Sequence, residues 1–418
     1  MTGRETLRRY GPWLLLILAF AAYYPRFAKQ TPPGVARVGV DLLAHGAECL
    51  LKGEVLQVCE LFFTYPPSFA LAMMPLVPMG PGLRVLVWYL ILAGATVAAY
   101  ALCEALARRL FPGEWTESER VWLRVGSILL SLKFILAVLE NQAFDTVILL
   151  LVVIGLWALV SKRDLLAGGS LALAAAFKGT PLIFLPYLLF TRRFAASGVF
   201  VAVLIGVSVL PDLLFTPKGS AHGYLVTWVR EIALGPMYDD PHLTRYRFWV
   251  GPNSNNHSLR AMVYQWFPNG LGDPRFRPAL AAVYLAVLIA VGLVVLKSLR
   301  NGTVVAIDGA ALVIAMMVLS PMSSRSHFVA LMLPYTIVCA ACIRDPQTRT
   351  LHQIVLGISF ILATATGNDL VGGRITDWAY SHSVIAFGSL VLLISLAAIV
   401  WRPRPWLESG TAEPAARP

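Results

Sequence analysis

About twelve apolar runs recur along the chain, and they constrain its fold more than any other feature. They lie near residues 11–25, 84–107, 121–138, 144–160, 165–177, 180–190, 196–215, 279–297, 304–320, 327–343, 352–366 and 383–401. Hydrocarbon offers no partner to an open strand edge or an irregular backbone, so runs of this kind are helices. Of the 418 residues, 57% are hydrophobic and only 14% charged, whereas soluble domains carry about 25% charged residues. The short alternating segments of an outer-membrane barrel are absent. An all-α polytopic membrane protein follows, with about twelve spanning or partly spanning helices. Several runs are too short to cross alone, and the pair around Lys178 reads as two half-length helices meeting inside the protein. No internal repeat or soluble domain stands out. Residues 1–405 read as one integral-membrane domain, and 406–418 as a disordered cytoplasmic tail.

The net charge of +11 would suggest nucleic acid in a soluble protein, but here the basic residues gather between apolar runs and form no basic-aromatic groove. With the N-terminus inside, the short cytoplasmic loops carry Arg108 and Arg109, Lys162 and Arg163, Arg192 and Arg193, Lys297 and Arg300, then Arg344 and Arg349. Arg402 and Arg404 follow the last run, which puts the C-terminus inside as well. Two long loops, about 26–83 and 216–278, then face outward, the periplasmic side of a bacterial cytoplasmic membrane. Arg4, Arg8 and Arg9 ahead of an apolar stretch resemble a signal peptide, but Tyr23 and Tyr24 read as the interfacial anchor of a retained helix.

The first outer loop contains Val40-Asp41-Leu42-Leu43-Ala44-His45-Gly46-Ala47-Glu48-Cys49-Leu50-Leu51-Lys52-Gly53. Steps of three and four residues put Asp41, His45, Glu48 and Lys52 on one helical face. The leucines cover the rest, and Gly53 is a natural stop. This is an amphipathic helix at a membrane surface with a carboxylate at its leading end. Asp41 is either a cap for backbone N–H groups or a reactive acid. Tyr65-Pro66-Pro67 then imposes an extended turn, and the apolar Ser68–Met79 stretch is too short to span. Cys49 and Cys59 share this loop, open to either free thiols or a disulfide. Cys339 and Cys342 sit in an apolar run with no second pair, which reads as helix packing. In the second outer loop Asn256-His257-Ser258 fits the N-glycosylation pattern, while Ser258 is equally suited to cap a helix through Trp266.

Charged groups inside apolar runs are costly, so each needs a reason. Glu140-Asn141-Gln142-Ala143-Phe144-Asp145, Lys178-Gly179-Thr180-Pro181 and Ser320-Pro321-Met322-Ser323-Ser324-Arg325-Ser326-His327 each interrupt one. All three fall on the side of Asp41, which suggests a shared polar cavity.

Taken in order, these landmarks resemble the polytopic polyprenol-phosphate-sugar-dependent glycosyltransferases of glycosyltransferase family eighty-seven, in the GT-C superfamily. The resemblance rests on Asp41 with Tyr65-Pro66-Pro67, the Gln142 turn, Ala174–Pro181 with Leu185-Pro186, the run from Asn256 to Arg260, and Ser320-Pro321 with His327. The chain departs from the family's usual pattern at Ala44 and His45, at Asn141, at His257 and in lacking a Trp before His327.

The resemblance implies a GT-C-type fold and a hexosyltransferase of the cell envelope. Its partners would be a polyprenyl-phosphate-sugar donor, mannose by default, and a glycolipid or glycan acceptor, in membrane lipid. Transfer would invert the anomeric carbon at the outer face. Asp41 would serve as general base, taking the acceptor's proton, with Glu48 in reserve. His327, Arg325, Lys178 and Arg260 would meet the departing phosphate. Tyr65, Gln142 and His45 would contact substrate. Neither metal nor cofactor is implied. A lipid or sugar transporter or flippase, a GT-C arabinofuranosyltransferase, and a non-catalytic subunit are the competing expectations.

Overall fold

The computed structural model describes residues 3–29, 39–235, 255–267, 269–302 and 304–401. The expected tail at 406–418, and the parts of the two outer loops at 30–38 and 236–254, lie outside the described residues. The described residues are helical with no strand. Among the described residues, six helices are long and apolar enough to cross a membrane: Pro81–Leu110, Glu117–Glu140, Phe194–Leu214, Phe276–Arg300, Arg325–Arg344 and Val384–Trp401. Shorter apolar helices accompany them, among them Asp145–Val160, Asp164–Phe177 and Val305–Val318. This is an all-α polytopic membrane protein.

Local chemistry sets the helix ends. Pro81 occupies the first turn of its helix, where a missing N–H costs nothing, and Arg108 and Arg109 lie in its last turn, where positive charge suits the helix dipole. Thr116 and Glu119 form a reciprocal cap: the Thr116 hydroxyl accepts from the Glu119 amide at 3.2 Å, and the Glu119 carboxylate accepts from the Thr116 amide at 2.8 Å. The Asp164–Phe177 helix stops at Lys178-Gly179, a single tight turn covers Thr180–Ile183, and a second short helix follows over Phe184–Phe190. Pro181 lacks the N–H that would continue the first helix, so the interruption expected at Lys178 has a covalent cause.

A helix apolar on every side belongs in the core. Val305–Val318 is buried along its whole length, and Met332–Arg344 nearly so. Around them, Phe194–Leu214 and Phe276–Arg300 turn Ile205, Leu213, Leu285 and Ile289 outward, as a lipid-facing surface requires. The Gly3–Lys29 helix packs Phe20, Tyr24 and Phe27 around Tyr89.

The described parts of the two long loops are helical and joined to each other. The first contains the helices Gly39–Leu51, Leu56–Cys59 and Pro67–Met73. Cys49 and Cys59 form a disulfide with Cα atoms 6.0 Å apart. Gly46 lets the Phe63 ring lie against the first of these helices, since a Cβ there would stand 2.3 Å from the ring. The Lys218 amide donates to the Gly53 carbonyl at 2.7 Å, and the Trp228 indole donates to the Thr64 carbonyl at 3.0 Å, tying the second loop to the first.

Asn256, His257 and Ser258 are buried. Asn256 donates to the Pro321 carbonyl at 3.1 Å and accepts from the Ser323 amide at 3.1 Å, so its side chain is committed and closed to a glycan in the folded protein. The glycosylation match is therefore corrected to a packing motif. Ser258 does cap the Leu259–Trp266 helix, accepting from the Ala261 amide at 3.2 Å.

Candidate active site

Three interruptions of the apolar sequence meet in space. Asp145 opens the Asp145–Val160 helix, Lys178 lies where the Asp164–Phe177 helix breaks, and His327 lies in the tight turn Arg325–Leu331. Lys178 Nζ donates to Asp145 Oδ1. His327 Nε2 lies 3.7 Å from the same oxygen. The other imidazole nitrogen, Nδ1, accepts from the Ser324 amide at 2.7 Å, so the neutral ring carries its proton on Nε2, facing the carboxylate. Desolvation makes an isolated buried charge untenable, and each of these groups is nearly buried. One carboxylate shared by an ammonium and an imidazole satisfies all three.

A small pocket opens on this cluster. Asp145, Lys178, Thr180, Ser320, Ser323 and His327 set polar groups in a wall that Ile148, Leu149, Met316, Met317 and Ala330 make mostly apolar. A single hydroxyl reaching into it would meet several donors and acceptors at once.

The Tyr65 segment is fastened beside it. The Ser68 hydroxyl donates to the Ala176 carbonyl at 2.5 Å, Phe69 stacks on Phe144 with ring centres 3.9 Å apart, and Tyr65 meets Phe144 edge-on at 4.8 Å. Lys178 Nζ lies 5.6 Å from the centre of the Phe144 ring.

Asp41 lies in the first turn of the Gly39–Leu51 helix, and its Oδ1 accepts from Arg84 Nη1 at 3.0 Å. Arg84 is itself held, donating to the carbonyls of Leu76 at 3.2 Å, Val77 at 3.3 Å and Met79 at 3.1 Å. The Asp41 carboxylate is thus aimed by a rigid cation and stays about a quarter exposed, at 24%. Asp41 is absent from the walls of the cavity above; the acid there is Asp145.

Gln142 links the two acids. Its Oε1 accepts from the Val40 amide at 2.9 Å, its Nε2 donates to the Phe27 carbonyl at 3.3 Å, and its own carbonyl accepts from the Trp88 indole at 2.8 Å. It spends its side chain on backbone partners and sets where the Asp41 helix begins relative to the turn leading into Asp145. Gly39 permits this contact: its φ is +56°, and a Cβ would stand 2.3 Å from Gln142 Oε1.

The remaining expected residues lie elsewhere. His45 Nδ1 is 3.0 Å from Glu60 Oε2, and Glu48 pairs with Lys52 at 2.8 Å. The Arg260 guanidinium lies 5.7 Å from the Tyr264 ring centre, and that of Arg325 lies 5.6 Å from the Tyr380 ring centre. Burial pushes the pKa of Arg260 below its ordinary value, yet a guanidinium keeps its charge at neutral pH. His45, Cys49 and Cys59 bring three potential metal-ligand atoms within 4.8 Å of one another, but the two sulfurs are bonded to each other and offer no thiolate pair.

Sequence reasoning passed over Asp145 and Arg84. An acid in a helix's first turn reads as a dipole partner, and an Arg at the edge of an apolar run reads as an interfacial anchor. The signal for Asp145 was its place in one of the three convergent interruptions.

A sequence profile of one family, Glycosyltransferase family 87, matches residues 63–321, more than half of the chain. The chain belongs to glycosyltransferase family 87. The match takes in Tyr65, Gln142, Asp145, Lys178 and Arg260, and lies between Asp41 on one side and Arg325 and His327 on the other. No curated protein and no solved structure matches significantly. The family makes the chain a membrane glycosyltransferase, which acts on a sugar donor and an acceptor.

Proposed function

We propose that this glycosyltransferase moves a hexose, mannose by default, from a polyprenyl-phosphate donor to a hydroxyl of a glycolipid or glycan acceptor. The observation that carries the reading is the meeting of Asp145, Lys178 and His327 at one pocket, tied through Gln142 to the helix that bears Asp41. Reaction takes place at the outer, periplasmic face of the cytoplasmic membrane, with both termini cytoplasmic and residues 1–405 acting as one domain.

In the step, the acceptor oxygen bonds to the anomeric carbon from the side opposite the lipid phosphate. The bond from that carbon to the phosphate oxygen breaks, and the configuration inverts. The acceptor proton passes to Asp41, and the polyprenyl phosphate leaves with the bonding electron pair. An alcohol is a weak nucleophile until its proton is being removed, which a positioned carboxylate accomplishes. Arg84 engages Oδ1 of Asp41, and we assign Oδ2 to the acceptor. Asp145 already neutralises Lys178, so we assign Lys178 and His327 to the sugar and acceptor hydroxyls, and Arg325 to the phosphate.

Asp145 is the second reading for the base, favoured because it, and not Asp41, lines the cavity. Its Oδ1 already serves both Lys178 and His327, which weighs against it, since each partner weakens the carboxylate's pull on a substrate proton.

A donor panel tests the substrate assignment. Purified enzyme in vesicles should transfer from polyprenyl-phosphate mannose or another hexose at least tenfold faster than from polyprenyl-phosphate arabinofuranose, and should ignore nucleotide sugars. Faster transfer from the pentofuranose or from a nucleotide sugar would overturn the assignment.

A further inference from the structure

Beyond the cavity, two cations share one aromatic ring with no acid between them. Lys133 lies on the Glu117–Glu140 helix, well inside an apolar run. Its Nζ donates to the Ala363 carbonyl and the Thr366 hydroxyl, both at 2.9 Å, and stands 5.2 Å from the centre of the Tyr380 ring. The Arg325 guanidinium lies 5.6 Å from the same centre. Among the described residues neither cation has a carboxylate within ion-pair distance. Asp377, one turn ahead of Tyr380, is exposed.

A third group faces the same ring. His257 is fully buried, its ring centre 4.8 Å from that of Tyr380. Among the described residues its ring nitrogens make no well-aligned hydrogen bond, and the Tyr380 backbone is the polar group they approach. Burial, with Lys133 and Arg325 nearby, pushes its pKa down to about 3, so the ring is neutral and has one N–H to give. Its backbone amide donates to the Ser323 carbonyl at 2.8 Å, which places it behind the same turn that supplies Ser323 and His327 to the cavity.

Like charges repel strongly at low dielectric, and buried charges are normally paired. Two half-buried cations without a carboxylate partner, beside a buried imidazole on the same platform, form a site that suits an anion. The contrast with the other side of the turn is informative, since there Asp145 already compensates Lys178. We propose that Lys133, Arg325 and His257 hold the phosphate of a lipid-linked substrate against the Tyr380 ring. The 320–327 turn then divides the site into a charge-balanced half for the neutral sugar and a cationic half for the phosphate. The choice of the donor as the source of that phosphate rests on the function proposed above.

Binding of unglycosylated polyprenyl phosphate to purified protein in nanodiscs, followed by native mass spectrometry, tests this without turnover. Phosphatidylinositol is the second probe. Lys133→Met and Arg325→Gln should each weaken polyprenyl-phosphate binding at least tenfold. Lys133→Arg, which keeps the charge, should recover most of it. Equal melting temperatures in detergent identify the folded variants, and Arg325, being only partly buried, supplies one in any case. If only phosphatidylinositol binds, and the variants lose it, the site stands and the donor reading fails. If wild-type protein binds neither lipid, or the variants bind as wild type does, the site is overturned.

Discussion

Replacing Asp41 by asparagine should lower sugar transfer by about 10²–10⁴-fold, the usual contribution of a positioned general base. The protein should still fold and insert. Asparagine has the shape of aspartate and still offers Oδ1 to Arg84, which the carbonyls of Leu76, Val77 and Met79 hold in place regardless. The lost charge attraction in this partly exposed pair is worth about 1 kcal/mol or less. Substrate binding should change little, because the carboxylate acts on the proton in flight and not on the bound ground state. The check is a comparison of kcat and KM for the wild-type and Asp41→Asn enzymes at matched reconstitution. Near-normal kcat would remove Asp41 from the base role, and Asp145→Asn would then be the variant to assay.

The second large effect is at the Asp145–Lys178 pair. Removing one partner of a buried ion pair strands the other, at a cost of roughly 3–5 kcal/mol. Lys178→Met leaves Asp145 with His327, 3.7 Å away, and the Ser326 hydroxyl, and with no full positive charge beside it. That variant should melt several degrees lower in detergent. The double variant Asp145→Leu/Lys178→Met removes both charges and should regain most of the lost stability, since apolar replacement of a buried pair is often neutral. Transfer should stay lost in the double variant, because the cavity has lost two of its polar walls. Recovery of transfer along with stability would make the pair a scaffold and nothing more.

The fold was largely legible because lipid leaves a helix few options. A segment that crosses hydrocarbon must be apolar over its length, and the long runs near 84–107, 121–138 and 383–401 announced themselves. The break at Lys178 was legible for a covalent reason, the proline three residues on. Asp41 stood out because an amphipathic helix displays its polar face as a spacing. Pairings across the chain were not legible. Arg84 meets Asp41, and Lys178 meets Asp145, through packing that no local spacing encodes. Gln142 was read as touching substrate, yet its side chain binds the Val40 and Phe27 backbone, since an amide serves either purpose equally well. Lys133 carried a signal that went unused: a lone lysine inside an apolar run is costly, and cost points to function.

Glycosyltransferase and transporter differ most plainly in what becomes of a labelled sugar. Purified protein in sealed vesicles, given polyprenyl-phosphate mannose labelled in the sugar together with a glycolipid acceptor, should place the label in a new covalent product. That product should form with wild-type protein and be nearly absent with Asp41→Asn. Label that crosses the bilayer still joined to its polyprenyl phosphate, with no new product, would contradict covalent transfer from a lipid-phosphate donor.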